Sequence, residues 1–259
     1  MTVAANKRPF QDTLVMTAAE LRSTYLFGVD LSDNDGNQMP DATLEFYILA
    51  AQNWLEQEVG GLLLTKQTIE TEKHDYRLGD YIQYNFIKLF RYPVQSVEKV
   101  AIQFPLSQDV LEFDDSWYRT ESVSGQVQLF PTQGTFSSII LSQGGSYIPL
   151  VYSGVAYVPH VMIVDYTAGF EAGEFPAAIK NVIGMKASQG PLNIAGDLIA
   201  GAGIAAKSIS LDGLSQSIST TSSATNAGYG ARILQYEKQI QGELKNLRNY
   251  YTGLQMVVA

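Results

Sequence analysis

Cysteine is absent from the 259 residues, and histidine occurs only at His74 and His160. The first absence excludes a disulfide framework, a thiolate nucleophile, an iron–sulfur cluster and any zinc site built on sulfur. The second leaves imidazole chemistry to two residues far apart in sequence. Charge is sparse: 17% of residues are Asp, Glu, Lys or Arg, and the balance is acidic, with a formal net charge of −9. A sequence-reading nucleic-acid binder carries a basic face to offset phosphate charge, so the acidic balance argues against that class. A wall that DNA slides past is compatible with it. No apolar run approaches the roughly twenty residues of a membrane span. The opening MTVAANKRPFQD lacks the apolar stretch of a secretory signal, so the chain is expected to be made in the cytoplasm.

What is present is a chain long enough to bury a real core, as one large domain or two small ones. Fifteen tyrosines against two tryptophans favour side chains with an apolar body and a polar tip, suited to half-buried strands and contact surfaces. Thr17-Ala18-Ala19-Glu20 is a capping-box signal for a short helix through about Tyr25. Leu44, Tyr47, Ile48, Ala51 and Leu55 recur at three- and four-residue steps, the clearest amphipathic helix in the chain, and Gly60-Gly61 stops it. Leu62 to Glu70 is expected to be extended. From there to about Ala168, segments 81–87, 97–104, 126–130, 139–141 and 161–166 are short, β-branched or aromatic, and separated by Gly, Pro, Asp and Ser. Tyr92-Pro93 and Phe104-Pro105 each mark a break or an edge, because proline cannot donate to a ladder.

Helical character returns at Phe175-Pro176-Ala177-Ala178-Ile179, with Ile179, Val182 and Ile183 as a narrow stripe; Gly190-Pro191 is expected to end or kink it. Residues 196–230 are rich in Gly, Ala, Ser and Thr. Within them, Asp212-Gly213 stands between the alternating segments Ser208 to Leu211 and Leu214 to Ile218, which predicts a hairpin that needs a partner surface. The last element, 231–251, carries Ile233, Tyr236, Ile240, Leu244, Leu247 and Tyr251 on one stripe. The expected fold class is α+β: helical N- and C-terminal parts frame an inserted antiparallel β domain, and a C-terminal hairpin and helix form an extended tail. The expected parts are 1–70, 71–170, 171–195 and 196–259.

Motifs for chemistry are weak. Asp33-Asn34-Asp35-Gly36-Asn37 resembles a calcium loop, but with Gly36 at the sixth position, Leu31 and Ala42 occupy places that require carboxylates, so a turn is expected. Gly201-Ala202-Gly203-Ile204-Ala205-Ala206 has GxGxxA spacing without the strand and ribose-binding acid of a dinucleotide site, and 196–202 lacks the lysine of a phosphate loop. No GxSxG occurs. His74, within Glu72-Lys73-His74-Asp75, reads as part of a solvated charged turn, and His160, beside Pro159, as a loop or edge residue. Asp114-Asp115 could pair for glycoside hydrolysis only if a pocket raised one pKa; adjacent acids before Ser116-Trp117 are more commonly turn formers. The tyrosines of 76–84 and 147–157 could form a sugar or peptide platform, against the plainer reading of wet sheet edges.

Taken in order, five phrases resemble the head–tail connector (portal adaptor) proteins of tailed bacteriophages. They are Met16-Thr17-Ala18-Ala19-Glu20-Leu21-Arg22; the helix of 44–60 running into Gly61-Leu62-Leu63-Leu64-Thr65-Lys66-Gln67-Thr68-Ile69-Glu70; Leu89-Phe90-Arg91-Tyr92-Pro93-Val94-Gln95-Ser96-Val97; Val164-Asp165-Tyr166-Thr167-Ala168-Gly169-Phe170; and Phe175-Pro176-Ala177-Ala178-Ile179. The resemblance covers roughly residues 14–188 and departs from the family in a longer β middle, around 132–157, and a longer tail after Pro191.

The resemblance implies a structural, non-enzymatic protein without cofactor or metal. It implies a homo-oligomeric ring, about twelve copies closing by rotation, on the portal protein. The ring would extend the channel through which genome DNA passes and would receive tail or neck proteins. No membrane is involved; the place is the virion neck, after assembly in the bacterial cytoplasm. An acidic channel wall avoids holding phosphate. The candidate portal-binding residues are Ile209, Leu211, Leu214, Ile218, Ile233, Ile240 and Leu244. The alternatives are a tail terminator or tail-completion ring, a virion carbohydrate-binding β module using the tyrosines, and a hydrolase using Asp114, Asp115 or His160.

Overall fold

The computed structural model describes residues 14–77, 86–103, 109–129, 155–200, 206–211, 214–219 and 229–253. The fold is α+β, with helices toward both ends of the chain and antiparallel sheets between them. It divides into two compact units, Met1–Glu58 with Ala172–Leu247 and Val59–Glu171 with Arg248–Ala259.

The first unit holds the helices and, between the last two of them, a hairpin. In α1 (Ala18–Ser23) the capping box is complete: the Thr17 hydroxyl accepts from Glu20 N at 3.1 Å, and Glu20 Oε2 accepts from Thr17 N at 2.7 Å. Two of the free donors at the helix start are thereby satisfied. In α2 (Asp41–Val59), Leu44, Ile48, Ala51 and Leu55 are buried as their spacing predicts. Gln52 lies on the same buried side, and its Oε1 accepts from Val15 N at 3.0 Å, pinning the chain entry to the helix.

Of the two outcomes expected at Gly190-Pro191, an end or a kink, the end does not occur, because α3 (Ala177–Ala200) runs through both residues. Proline costs an interior helix one hydrogen bond, but Pro191 is buried with Leu192 and Ala195, and this packing holds the helix together. Helix α3 also lets two rings approach closely. A Cβ on Gly184 would fall within the ring of Tyr25, and one on Gly190 would meet the ring of Tyr47. The last helix, α4 (Gly230–Thr252), buries Ile233, Ile240, Leu244 and Leu247. Its Tyr236 hydroxyl donates to Tyr25 O at 3.1 Å, and Glu237 Oε2 accepts from Gln189 Nε2 at 2.9 Å.

The second unit holds two sheets. One has the order β1 (Gln67–Arg77), β7 (Tyr157–Ala168), β3 (Val94–Gln103), β4 (Asp109–Glu112); the other is β2 (Phe86–Lys88), β6 (Gln126–Leu129), β5 (Tyr118–Glu121). Among the described residues every strand pairing in these two sheets is antiparallel. Their shared core includes Leu89, Val100, Ile102, Val127, Met162, Val164 and Tyr166. The extended segment expected from Leu62 starts later as a strand, at Gln67; Leu62 instead makes a single parallel bridge to Tyr92, and Leu62, Leu63 and Leu64 are buried. Most of 81–87 and all of 139–141 lie outside the described residues.

A third sheet is a hairpin of β8 (Ala206–Leu211) and β9 (Leu214–Ser219), with Leu211 opposite Leu214 as a two-residue connection at 212–213 requires.

Candidate functional site

The hairpin is the first candidate. Its register pairs Lys207 with Ile218, Ile209 with Gln216, and Leu211 with Leu214. Directly opposed residues share a face, and faces alternate along each strand. Ile209, Leu211, Leu214 and Ile218 therefore occupy one face, together with Lys207 and Gln216. The other face carries Ala206, Ser208, Ser210, Ser215, Ser217 and Ser219. Among the described residues, β8 and β9 pair only with each other, so neither outer edge belongs to a larger sheet.

The structure places the remaining candidate residues differently. Ile233, Ile240 and Leu244 are buried within the single chain, two of them almost completely. Fully burying such a side chain contributes about 1.5–3 kcal/mol, so in the free chain these three hold α4 to its own body. The seven candidates thus divide into four on the hairpin and three in the folded core.

The β unit contains a polar cluster that periodicity does not reveal. The Tyr166 hydroxyl donates to Glu72 Oε2 at 2.5 Å, and Arg91 N donates to the Tyr166 oxygen at 3.0 Å. Glu72 Oε1 accepts from Phe90 N at 2.9 Å and lies 2.8 Å from His74 Nε2. Burial, and then the bond to Glu72, push the Tyr166 phenol well above its usual pKa. His74 is thus not in a solvated turn: it lies on β1 with a side chain 10% exposed, its ring centroid 4.7 Å from that of Phe90. The correction has a physical cause, since the buried carboxylate of Glu72 sits two residues away and gives the imidazole a partner away from water.

Nearby, Lys88 Nζ donates to the carbonyls of Ser124 and Thr252 and stands 4.9 Å from the Tyr92 ring centroid. Burial pushes its pKa down. A lysine on the last carbonyl of α4 serves as a helix C-cap. Gly253 continues the cap at φ +64°, and Tyr251, its phenol pushed up to about 12 by burial and then by Tyr250, meets Phe170 edge to face.

The acids and histidine considered for hydrolysis have other roles in the structure. Asp114 Oδ1 accepts from Ser116 N and Oγ at 3.0 and 2.6 Å and caps the short 3-10 turn Asp115–Trp117, while Asp115 Oδ1 accepts from Tyr118 Oη at 2.8 Å. The Ser116 bonds hold the Asp114 carboxyl below its usual pKa, opposite to the shift a general acid needs. His160 lies on β7 at φ +51°, its ring mostly exposed; its N–H donates to Asp75 Oδ1 at 3.0 Å, and Tyr157 Oη donates to Asp75 Oδ2 at 3.0 Å. Asp75 therefore bridges a bulged stretch of β1 and the start of β7.

The Asp33 segment is a turn: Oδ1 accepts from Asp35 N and Asn37 N, with Gly36 at φ +83°. Residues 196–200 of the phosphate-loop candidate are helical, and 201–205 lie outside the described residues. Tyr76 is fully buried and Tyr157 half exposed; the other tyrosines of the two clusters are outside the described residues.

No family model matches the chain. No curated protein matches it. Among solved structures, a chain in the virion of a native gene transfer agent particle is 13% identical at TM-score 0.43, covering 95% of this chain and 93% of its own. A chain in the neck of that native particle, computed with C12 symmetry, is 13% identical at TM-score 0.41, covering 93% and 91%. A chain in the neck of the empty particle, computed with C6 symmetry, is 16% identical at TM-score 0.37, covering 68% and 77%.

Proposed function

We propose that this chain is a structural connector of a tailed-phage-like virion. In this role it docks as a ring on the portal, extends the DNA channel and receives tail or neck proteins. The observation that carries the reading is the hairpin, whose register gathers Ile209, Leu211, Leu214 and Ile218 on one face while, among the described residues, both outer edges stay outside the larger sheets. An isolated two-stranded hairpin is marginal in water, so a sequence that specifies one with an aliphatic face supports a partner surface. The five sequence phrases add support because they fall at junctions. One is the capping box of α1, one the end of α2 at Gly60-Gly61, one the turn into β3, one the end of β7, and one the start of α3.

The role is mechanical, with no catalytic residue. A ring of about twelve copies multiplies one modest contact into high avidity. On this reading Ile209, Leu211, Leu214 and Ile218 face the portal. Ile233, Ile240 and Leu244 act through the helix that anchors the arm.

The test is a pull-down with the portal ring from the same particle, comparing the full chain with a variant lacking 206–219. Removing only the hairpin leaves intact α3, which reaches Ala200, and α4, whose stripe is core. The expected result is retention of the full chain and loss of the variant. Equal retention overturns the hairpin assignment; no retention of either overturns portal docking.

A further inference from the structure

Phe90 is an exposed aromatic on a fully restrained turn. Its side chain is 60% exposed, between the buried Leu89 and Tyr92. Each backbone donor of the turn is occupied: Leu89 N by Gly125 O at 2.8 Å, Phe90 N by Glu72, Arg91 N by the Tyr166 hydroxyl, and Tyr92 N by Gly61 O at 3.0 Å. The His74 ring supports the phenyl from below. A single exposed phenylalanine is ordinary on a protein surface. One held by a buried carboxylate and phenol has already lost the loop entropy that binding would otherwise cost, the condition that makes an aromatic an effective anchor.

The neighbouring group suggests what it contacts. Arg91, half-buried beside Phe90, is a cation on a chain with 26 acids against 17 Lys and Arg. Such a patch is not its own complement, since two copies meeting there would oppose arginine to arginine. It complements exposed acids elsewhere on an identical chain, such as Asp33, Asp35 and Glu45, and a contact between unlike patches is the kind that closes a ring. We propose that Phe90, with Arg91 beside it, is the aromatic anchor of a heterologous contact with the acidic surface of a second copy of this chain. The proposal rests on the ring reading given above.

The full chain carrying Phe90→p-benzoylphenylalanine is irradiated alone at high concentration and on the portal ring. The expected product is a covalent pair of copies whose second peptide lies outside 88–92. Crosslinks only to portal, crosslinks between two copies of 88–92, or no two-copy product in either condition overturn the proposal. In parallel, Phe90→Ser is expected to weaken self-association in sedimentation by about tenfold or more at an unchanged melting temperature; unchanged self-association overturns it. The two readings separate cleanly. Two-copy crosslinking without portal retention leaves this contact standing and removes portal docking. Portal retention without two-copy crosslinking does the reverse.

Discussion

The Tyr166 phenol donates to Glu72 Oε2 at 2.5 Å, joining the end of β7 to the bulged centre of β1 inside the core of the β unit. Through its other partners this pair fixes Phe90 N and Arg91 N, so two buried side chains determine the course of an exposed turn. Tyr166→Phe keeps the ring and removes the hydroxyl, leaving Arg91 N and one carboxylate oxygen without their partner. The expected cost is about 1–3 kcal/mol in urea unfolding. A loss below about 0.5 kcal/mol would show that water replaces the hydroxyl at no cost.

The same phenol sets an alkaline limit. Tyr166 and Tyr118 are both raised above the ordinary value of 10.0, by burial first and then by their carboxylate partners. Above pH 10 the unfolded chain releases these protons while the folded chain keeps them, so the folded state binds more protons and stability falls as pH rises. Lys88 works the other way: burial lowers its pKa below 10.5, so stability gains as pH climbs toward that value. Among the described residues seven phenols are raised, Tyr25, Tyr76, Tyr92, Tyr118, Tyr157, Tyr166 and Tyr251, against one lowered amine, so melting temperature is expected to fall above pH 10, and Tyr166→Phe to flatten that slope. Parallel slopes in the two proteins would contradict the assignment.

Gly184→Ala tests the packing of the helical unit. The substitution favours an isolated helix by about 1 kcal/mol. Here the added methyl meets the ring of Tyr25, whose hydroxyl donates to Asn181 Oδ1 at 3.1 Å and whose ring lies edge-on to Tyr236. Net destabilisation of about 1–3 kcal/mol is expected in chemical denaturation, reduced when Tyr25→Ala is added. Stabilisation by the single substitution would show that the ring moves aside.

The two halves of the candidate docking set are expected to respond oppositely. Ile240→Ala removes a fully buried side chain, and its cost in thermal or urea unfolding is about 2–5 kcal/mol. Leu214→Ser on the hairpin leaves stability within about 0.5 kcal/mol and weakens portal retention. Reversal of either response would reassign that residue.

Legibility in the sequence tracked the range of the interactions. The box at Thr17 and Glu20, the stop at Gly60-Gly61, the turn at Asp114 and the pairing across 212–213 are all built from neighbours, and their signals could be read. Pro191 left an end and a kink open, and the end does not occur because its local cost is outweighed by burial within a long helix. His74 was misleading because its partner Glu72 is buried by strands almost a hundred residues distant in sequence. The stripe on α4 was visible as periodicity, but periodicity says only that a helix has an apolar side. It does not say whether that side meets another chain or the chain itself, and here Ile240 and Leu244 are already buried within the single chain.

The hairpin register makes the arm sensitive to length rather than composition. A strand repeats every two residues, so, with the two-residue connection kept, one residue inserted before Leu214 moves every later position to the opposite face. Serines would then join Ile209 and Leu211, and Leu214 and Ile218 would cross to the polar side. Such a chain would keep every native side chain and lose the shared face of Ile209, Leu211, Leu214 and Ile218. A single insertion between 211 and 214 is therefore tolerated only where the connection lengthens to three residues and keeps Leu211 opposite Leu214.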